Sequence, residues 1–246
     1  GQLSVVGSNV VFQGALTVGS GGVVSVAGDL ALAGPLAVTS SGQLNVAGAL
    51  TLAVPLSLSG GGKLQVVGAV TSAVPVTVSG GTLAADYLSA PGIVLTNGAV
   101  LTHSPCTATV THKLEVQVAG TVLVSSNSLI DVRGKGYVAG RTTGNATVGA
   151  ASGYSGASYG GPGGSWNGVA NVVYGDYADP NDWGSGSPQI AGGGLLRLQA
   201  GVLWLDGGIL ADGESAGWVQ AQGGASGGGI WVRVDSLGGW GYMQAA

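Results

Sequence analysis

Charged side chains are scarce in this chain of 246 residues: they make up 7% of it, against roughly 25% in an ordinary soluble domain. The seven lysines and arginines are scattered between Lys63 and Arg233, and the net charge is −4. A surface that binds nucleic acid needs a basic patch that follows the phosphate backbone. The sequence therefore predicts no nucleic-acid partner.

Cysteine is almost absent as well, because Cys106 is the only one. A single cysteine forms no internal disulfide and has no neighbouring cysteines for a metal cluster. His103 and His112 flank it, but their spacing matches no zinc pattern. We therefore expect Cys106 to be packed in a turn of the fold rather than to act as a nucleophile, and the two histidines to lie in loops.

One long uncharged run, from Leu30 to Gly62, is long enough to cross a bilayer as a helix. Pro35, Pro55 and the glycine and serine clusters of this run make a helix unfavourable there. We therefore predict that the chain does not span a membrane.

Glycine and aliphatic residues fill the chain instead, with 50 glycines and 45% hydrophobic residues. This apolar content is too high for a disordered chain, which would lack the surface to offset the entropy of ordering. Glycine does not fall at every third position, so the collagen triple helix is excluded.

The first third of the chain is an internal repeat with a period of about 20 residues. Three successive units begin at positions 14, 34 and 54 and read "GALTVGSGGVVSVAGDLALA", "GPLAVTSSGQLNVAGALTLA" and "VPLSLSGGGKLQVVGAVTSA". Apolar residues within a unit lie two apart, which is the period of a strand with one buried face. Equivalent positions in successive units predict inward columns, of which the clearest are Leu16, Leu36, Leu56 and Val26, Val46, Val66.

A single unit of three short strands cannot bury its own apolar face, whereas stacked units can. The repeat therefore predicts an all-β fold, a right-handed parallel β-helix (β-solenoid) with turns of about 20 residues. We expect one continuous domain in three parts: regular solenoid over 1–133, a Gly/Tyr/Trp-rich excursion packed on the solenoid over 134–194, and continuing solenoid over 195–246. The segment "ESAGWVQAQGGAS" is expected to form a smaller loop at the same corner.

The acidic stretch "GDYADPNDWGSG" offers oxygen ligands for calcium. Its candidate ligands are Asp176, Asp179, Asn181 and Asp182. Asp and Asn also form turns by bonding to their own backbone, which is the alternative interpretation. No cofactor other than calcium is indicated.

The group that most resembles an active site is Asp131 with Arg133 and Lys135, followed by Arg141. Parallel β-helix enzymes that cleave polysaccharides make catalysis here an interpretation by analogy of fold. A surface ion pair explains the same residues. We predict that the chain is not an enzyme.

The glycine-rich region supports a resemblance to a class of proteins. The phrases "VVYGDYADPNDWGSGSPQIAGGGLLRLQAGVLWLDGGILADG" and "GGASGGGIWVRVDSLGGWG" resemble glycine-rich blocks of very large bacterial exported and surface proteins, over roughly residues 130 to 246. The regular repeats before them are similar to filamentous adhesins. This resemblance implies a parallel β-helix with a structural or adhesive role outside the cell or at its surface.

Neither end of the sequence shows a charged or helical cap, although exposed strand edges are normally protected. We therefore expect the chain to assemble with itself head to tail into a filament. The residues expected at the two ends are Leu3, Val5, Val6 and Ile230, Val232, Val234. The alternatives are a passive spacer domain of a giant surface protein, and a β-helix that binds or cleaves surface polysaccharide.

Overall fold

The computed structural model describes residues 1–215 and 223–246, and strands dominate both ranges. The first three turns consist of short strands: β1 (Gln2–Val5), β2 (Asn9–Phe12), β3 (Leu16–Val18), β4 (Val23–Val26), β5 (Asp29–Leu32), β6 (Leu36–Val38), β7 (Gln43–Val46), β8 (Leu50–Leu52) and β9 (Leu56–Ser59). The later turns contain β10 (Lys63–Ser72), β11 (Val76–Ser79), β12 (Thr82–Ala90), β13 (Ile93–Thr96), β14 (Val100–Thr102), β15 (Leu114–Val124), β16 (Leu129–Asp131), β17 (Leu195–Leu205), β18 (Gly208–Leu210), β19 (Gly229–Gly238) and β20 (Tyr242–Gln244). The helical content of these ranges is one 3-10 turn, Thr143–Asn145, so they contain no helix that could cross a membrane.

Every pairing between these strands is parallel. In the early turns, which we call rungs, the partner of a residue lies one sequence repeat further along: Leu16 pairs with Leu36, and Leu36 pairs with Leu56. The chain is an all-β parallel β-solenoid. The fold class predicted from the internal repeat is thereby confirmed.

Each rung contributes to three faces of the solenoid. The first face is built from β1, β4, β7, the first parts of β10 and β12, β14, β16, β18 and β20. The second face contains β2, β5, β8, the second parts of β10 and β12, and the first parts of β15, β17 and β19. The third face contains β3, β6, β9, β11, β13 and the second parts of β15, β17 and β19.

The core consists of columns of inward side chains, because alternate strand residues face the interior. The longest column on the first face joins Leu3, Val24, Leu44, Leu64, Leu83, Leu101, Ile130, Ile209 and Met243. All members between the two end residues are buried. A column on the second face likewise joins Val10, Leu30, Leu50, Val70, Leu88, Val116, Leu198 and Val232.

Rung length changes at the corners while the strand register is kept. Val76 pairs with Ile93, so this rung is shorter than the sequence repeat, whereas Val116 pairs with Leu198 across the longest insertion of the chain. Three insertions begin at the corner between the first and second faces: residues 103–113 between β14 and β15, residues 132–194 between β16 and β17, and the segment between β18 and β19, which is described over 211–215 and 223–228. Most of the loop predicted over "ESAGWVQAQGGAS" falls on residues 216–222, which lie outside the described residues.

Early rungs cross this same corner tightly, and Gly28 shows why. A Cβ atom on Gly28 would lie 2.2 Å from the carbonyl oxygen of Gly7 in the rung before it. No side chain fits between backbones that approach so closely. This corner therefore contains a glycine in each of the first four rungs, whereas β12 passes it at Asp86 without a glycine and the rungs after β12 carry the insertions.

The longest insertion, residues 132–194, is held together by a buried polar hub and by aromatic contacts. Asn171 accepts a hydrogen bond from Ser158 N at 2.7 Å and donates to Ser158 O at 2.9 Å and to Ser185 Oγ at 3.1 Å. Trp183 packs against Tyr137, with ring centroids 5.7 Å apart. The segment also contacts the second face, because Asp179 forms an ion pair of 2.7 Å with Arg197 of β17.

Candidate functional site

The two end rungs hold most of the residues predicted to mediate assembly. Within the described ranges, β1, β2 and β3 pair with a strand on one side only, and so do β19 and β20. Leu3 and Val5 lie in β1, and Val6 lies in the turn that follows. The other three predicted residues, Ile230, Val232 and Val234, all lie in β19.

Exposure at the end rungs differs among these residues. Leu3 is 53% exposed, whereas Val5, Ile230, Val232 and Val234 are partly buried against the core. Val6 is 86% exposed, but it lies in the connection between β1 and β2 rather than in a strand.

The sequence reasoning missed two further apolar residues of the last rung. Leu237 and Met243 are both exposed there. The available signal was the similarity of the last two rungs, in which Leu237 corresponds to Leu203 and Met243 to Ile209.

The predicted core residues lie in two stacked columns. Leu16, Leu36 and Leu56 are in register on the third face, and Val26, Val46 and Val66 are in register on the first. Five of these six side chains are buried. The exception, Leu16, is only partly buried because it belongs to the first rung.

The four candidate calcium ligands point to different partners. Asp176 Oδ1 accepts a hydrogen bond from Ala178 N at 2.8 Å, which is the local turn chemistry expected of Asp. Asp179 is held by Arg197. Asn181 is exposed. The structure therefore does not bring this set together around one point.

Asp182 connects separate parts of the long insertion through hydrogen bonds. Its carboxylate accepts hydrogen bonds from Tyr137 Oη at 2.6 Å, Thr143 Oγ1 at 2.9 Å and Trp183 N at 2.9 Å. Burial, and then the bond to Asp182, raise the pKa of the Tyr137 hydroxyl. Across the described residues, no three His, Cys, Asp or Glu side chains converge as a metal site.

A charged groove of about 450 Å³ lies on the outer side of the first face. Asp131, Arg133, Lys135 and Glu214 contribute its charges. Arg133 donates to both carboxylate oxygens of Asp131, at 3.0 and 2.6 Å. Burial raises the pKa of Asp131, but these bonds and the charge of Arg133 outweigh it, so the pKa lies below its usual value. Arg141, near Lys135 in sequence, instead bonds Asn145 O at 2.5 Å.

Lys135 differs from Arg133 in the groups that hold it. Its Nζ donates to Thr102 Oγ1 and to the carbonyl oxygen of His103, both at 2.6 Å. No ion pair of Lys135 occurs in the part of the chain that the structure describes. Burial lowers the pKa of this ammonium group. A partly desolvated cation held by neutral acceptors is suited to binding an anionic group.

Cys106 is buried, but not in a rung as expected: it lies between β14 and β15 in the insertion over 103–113, where its backbone NH donates to Lys135 O at 3.2 Å. Burial raises the pKa of its thiol to about 11, which keeps it protonated and poorly nucleophilic at neutral pH. His112 N lies 3.3 Å from Cys106 Sγ, while His112 Nδ1 lies 2.6 Å from Asp86 Oδ2. Burial raises the pKa of Asp86.

His103, expected in a loop, lies in this insertion but is fully buried. Its Nδ1 lies 2.6 Å from the carbonyl oxygen of Ser104, so Nδ1 carries the proton. Among the described residues Nε2 has no hydrogen-bond partner. Burial lowers the pKa of His103 to about 3, so the ring is neutral under ordinary conditions.

No protein-family model, curated protein or solved structure matches this chain.

Proposed function

We propose that this chain is a non-enzymatic structural protein of the cell exterior or cell surface. Its copies would stack head to tail through the first and last rungs and form an adhesive filament. One observation carries the proposal: the inward columns end in apolar side chains at both end rungs, whose strands pair on one side only within the described residues.

The order of the strands determines how two copies would stack. Among the described strands, β1 and β20 both belong to the first face, which has one strand more than each of the other two. A second copy continues the solenoid without a gap only if it is rotated by one face. Its β1 and β2 then pair with the two parts of β19, and its β3 pairs with β20.

This rotated arrangement brings apolar residues of the first rung against apolar residues of the last rung. It places Leu3 of the second copy over Val232, Val10 over Leu237, and Leu16 over Met243. Each contact joins one apolar column to another, and each new strand pair continues the parallel hydrogen bonding along the solenoid.

The first rung also lacks the features that usually prevent edge pairing. Residues 1–18 contain no charged side chain, although charges on edge strands are a common defence against association. Leu237 is 61% exposed in the last rung, and Met243 is 40% exposed. Exposed apolar groups of this kind are typical of contact surfaces.

Electron microscopy and sedimentation of the purified chain at micromolar concentration test this proposal. We expect filaments with an axial repeat of roughly 40 Å, because the chain supplies slightly more than eight rungs at a spacing of about 4.8 Å. Leu3→Glu should abolish the filaments, since it places an unpaired charge in the contact. Val148→Glu is the matched control, because Val148 is an exposed valine of the long insertion.

Isolated rods of the unmodified chain would overturn the proposal, and so would equal loss of filaments in the two variants. Circular dichroism of both variants shows whether the parallel sheet is retained.

A further inference from the structure

The outer side of the first face carries a second column, whose side chains are polar except at Ala84. Strand register joins Ser4, Ser25, Asn45, Gln65, Ala84 and Thr102, one from each successive rung. Successive rungs lie about 4.8 Å apart. Hydroxyl and amide groups therefore recur along the solenoid axis at a spacing close to the length of one pyranose ring in an extended sugar chain.

Two depressions lie along this column. One, of about 300 Å³, is lined by the polar residues Ser4, Ser25, Asn45 and Gln65 and by five apolar residues of the same rungs, Val26, Ala27, Val46, Ala47 and Val67. The other is the charged groove of about 450 Å³, whose floor includes Thr82 and Thr102. Gln65 of the first depression also contacts the insertion over 103–113, because its Nε2 donates to Ser104 Oγ at 3.2 Å.

Positive charge is available at one end of this surface. Arg133 is occupied by Asp131, but Lys135 is fixed by two neutral acceptors and retains an ammonium hydrogen for a ligand. Lys63 lies on the same face, in register with Thr82 of the groove. A cation that is partly removed from water gains most from a ligand that brings the opposite charge.

The two carboxylates of the groove, Glu214 and Asp131, are each held in place by hydrogen bonds within the protein. Glu214 Oε2 accepts a hydrogen bond from Ala191 N at 2.9 Å, and Glu214 N donates to Ala191 O at 2.9 Å. This pair of bonds holds the carboxylate at the rim beside Gly134, where it is an acceptor for hydroxyl groups. Asp131 is compensated by Arg133.

We propose that the outer side of the first face binds an extended acidic polysaccharide along the solenoid axis, with Lys135 taking a sugar carboxylate. Ser25, Asn45 and Gln65 bond the hydroxyl groups of further sugar units. The residues assigned to the ligand lie on the outer side of the solenoid, away from the inward apolar side chains of the end rungs, so the proposal stands independently of the proposed stacking.

Binding of polygalacturonate, measured by affinity electrophoresis and by calorimetry, tests the proposal with neutral dextran as the comparison polymer. We expect polygalacturonate to bind and dextran to bind much more weakly. Lys135→Met should weaken polygalacturonate binding roughly tenfold, as expected for the loss of a charge-assisted hydrogen bond. Lys113→Met is the matched control, because Lys113 pairs with Glu115 of β15 on the second face.

Lys135→Met removes the bonds to Thr102 and His103, so this variant could fail to fold for that reason alone. A second variant therefore tests the proposal independently. Asn45 lines the other depression. We expect Asn45→Ala to weaken polymer binding several-fold while leaving the binding of monomeric galacturonate unchanged. Absence of polygalacturonate binding by the unmodified chain would overturn the proposal. Equal effects of Lys135→Met and Lys113→Met would do the same, as would an Asn45→Ala chain that binds the polymer normally.

Discussion

Leu3 and Met243 stand at opposite ends of one column, joined through seven intervening residues that pair from rung to rung along the first face. Leu3 is 53% exposed and Met243 is 40% exposed, whereas no intervening member exceeds 8%. Burial in this fold is thus supplied by the neighbouring rungs and not by the rung itself.

Truncation within this column should destabilise the chain far more than truncation at its end. We expect Leu83→Ala to lower the free energy of unfolding by about 2–5 kcal/mol, because it leaves a cavity between two rungs. Leu3→Ala, the same change at an exposed position, should cost less than about 1 kcal/mol. Urea unfolding followed by circular dichroism compares them, and similar midpoints for the two variants would contradict the stacked-column account.

Asp182 should stabilise the long insertion through hydrogen bonds rather than through a bound ion. Asp182→Ala leaves Tyr137, Thr143 and the Trp183 amide without their shared acceptor, so we expect a loss of roughly 1–3 kcal/mol. Asp176→Ala should change stability by about 0.5 kcal/mol or less, because this residue is exposed and serves a local turn.

Thermal unfolding with and without a calcium chelator completes this comparison. We expect the melting temperature of the unmodified chain to be the same in both conditions. A lower melting temperature in chelator, together with equal effects of the two substitutions, would support the calcium interpretation of the acidic stretch.

His103 should make stability depend on pH below neutrality. The unfolded chain protonates this imidazole near pH 6.5, whereas burial delays protonation in the folded chain to about pH 3. Between these values the unfolded state binds more protons, so stability falls as the pH is lowered, by at most about 1.4 kcal/mol per pH unit from this group. Above pH 6.5 the group contributes no slope.

His103→Gln isolates this contribution, since glutamine keeps a hydrogen-bond donor but does not titrate. Urea unfolding at intervals between pH 4 and pH 7 should give a shallower decline for the variant than for the unmodified chain. Parallel curves for the two proteins would show that His103 is not buried as a neutral ring.

The internal repeat was sufficient to predict the early rungs, because strand period and repeat period together determine which residues stack. Leu36 had to lie over Leu16 once the strands were parallel and one repeat apart. The later rungs could not be aligned in this way. Leu88 pairs with Val116, which lies further along than one repeat, since an insertion of irregular sequence separates the two strands.

Contacts made by the insertions gave no signal in the sequence. His112 contacts Asp86, and Lys135 donates a hydrogen bond to Thr102. His112 and Lys135 both lie in insertions whose sequences have neither strand nor helix periodicity. Such contacts depend on the path of the backbone across the corner of the solenoid. In the acidic stretch, too, closeness in sequence does not determine which groups the side chains meet, since Asp179 bonds Arg197 and Asp182 bonds Tyr137. The calcium site there stays a prediction.

The placement of all three insertions at one corner also bears on the order in which the chain folds. Closing an early rung brings together residues one repeat apart, such as Leu16 and Leu36, whereas the pair Val116 and Leu198 closes an interval about four times as long. The longer closure costs on the order of 1 kcal/mol more in chain entropy, and non-local pairing is slow for the same reason. We therefore expect folding to be directional, with nucleation among the short rungs and the edge of the growing sheet serving as the template on which the distant strands pair.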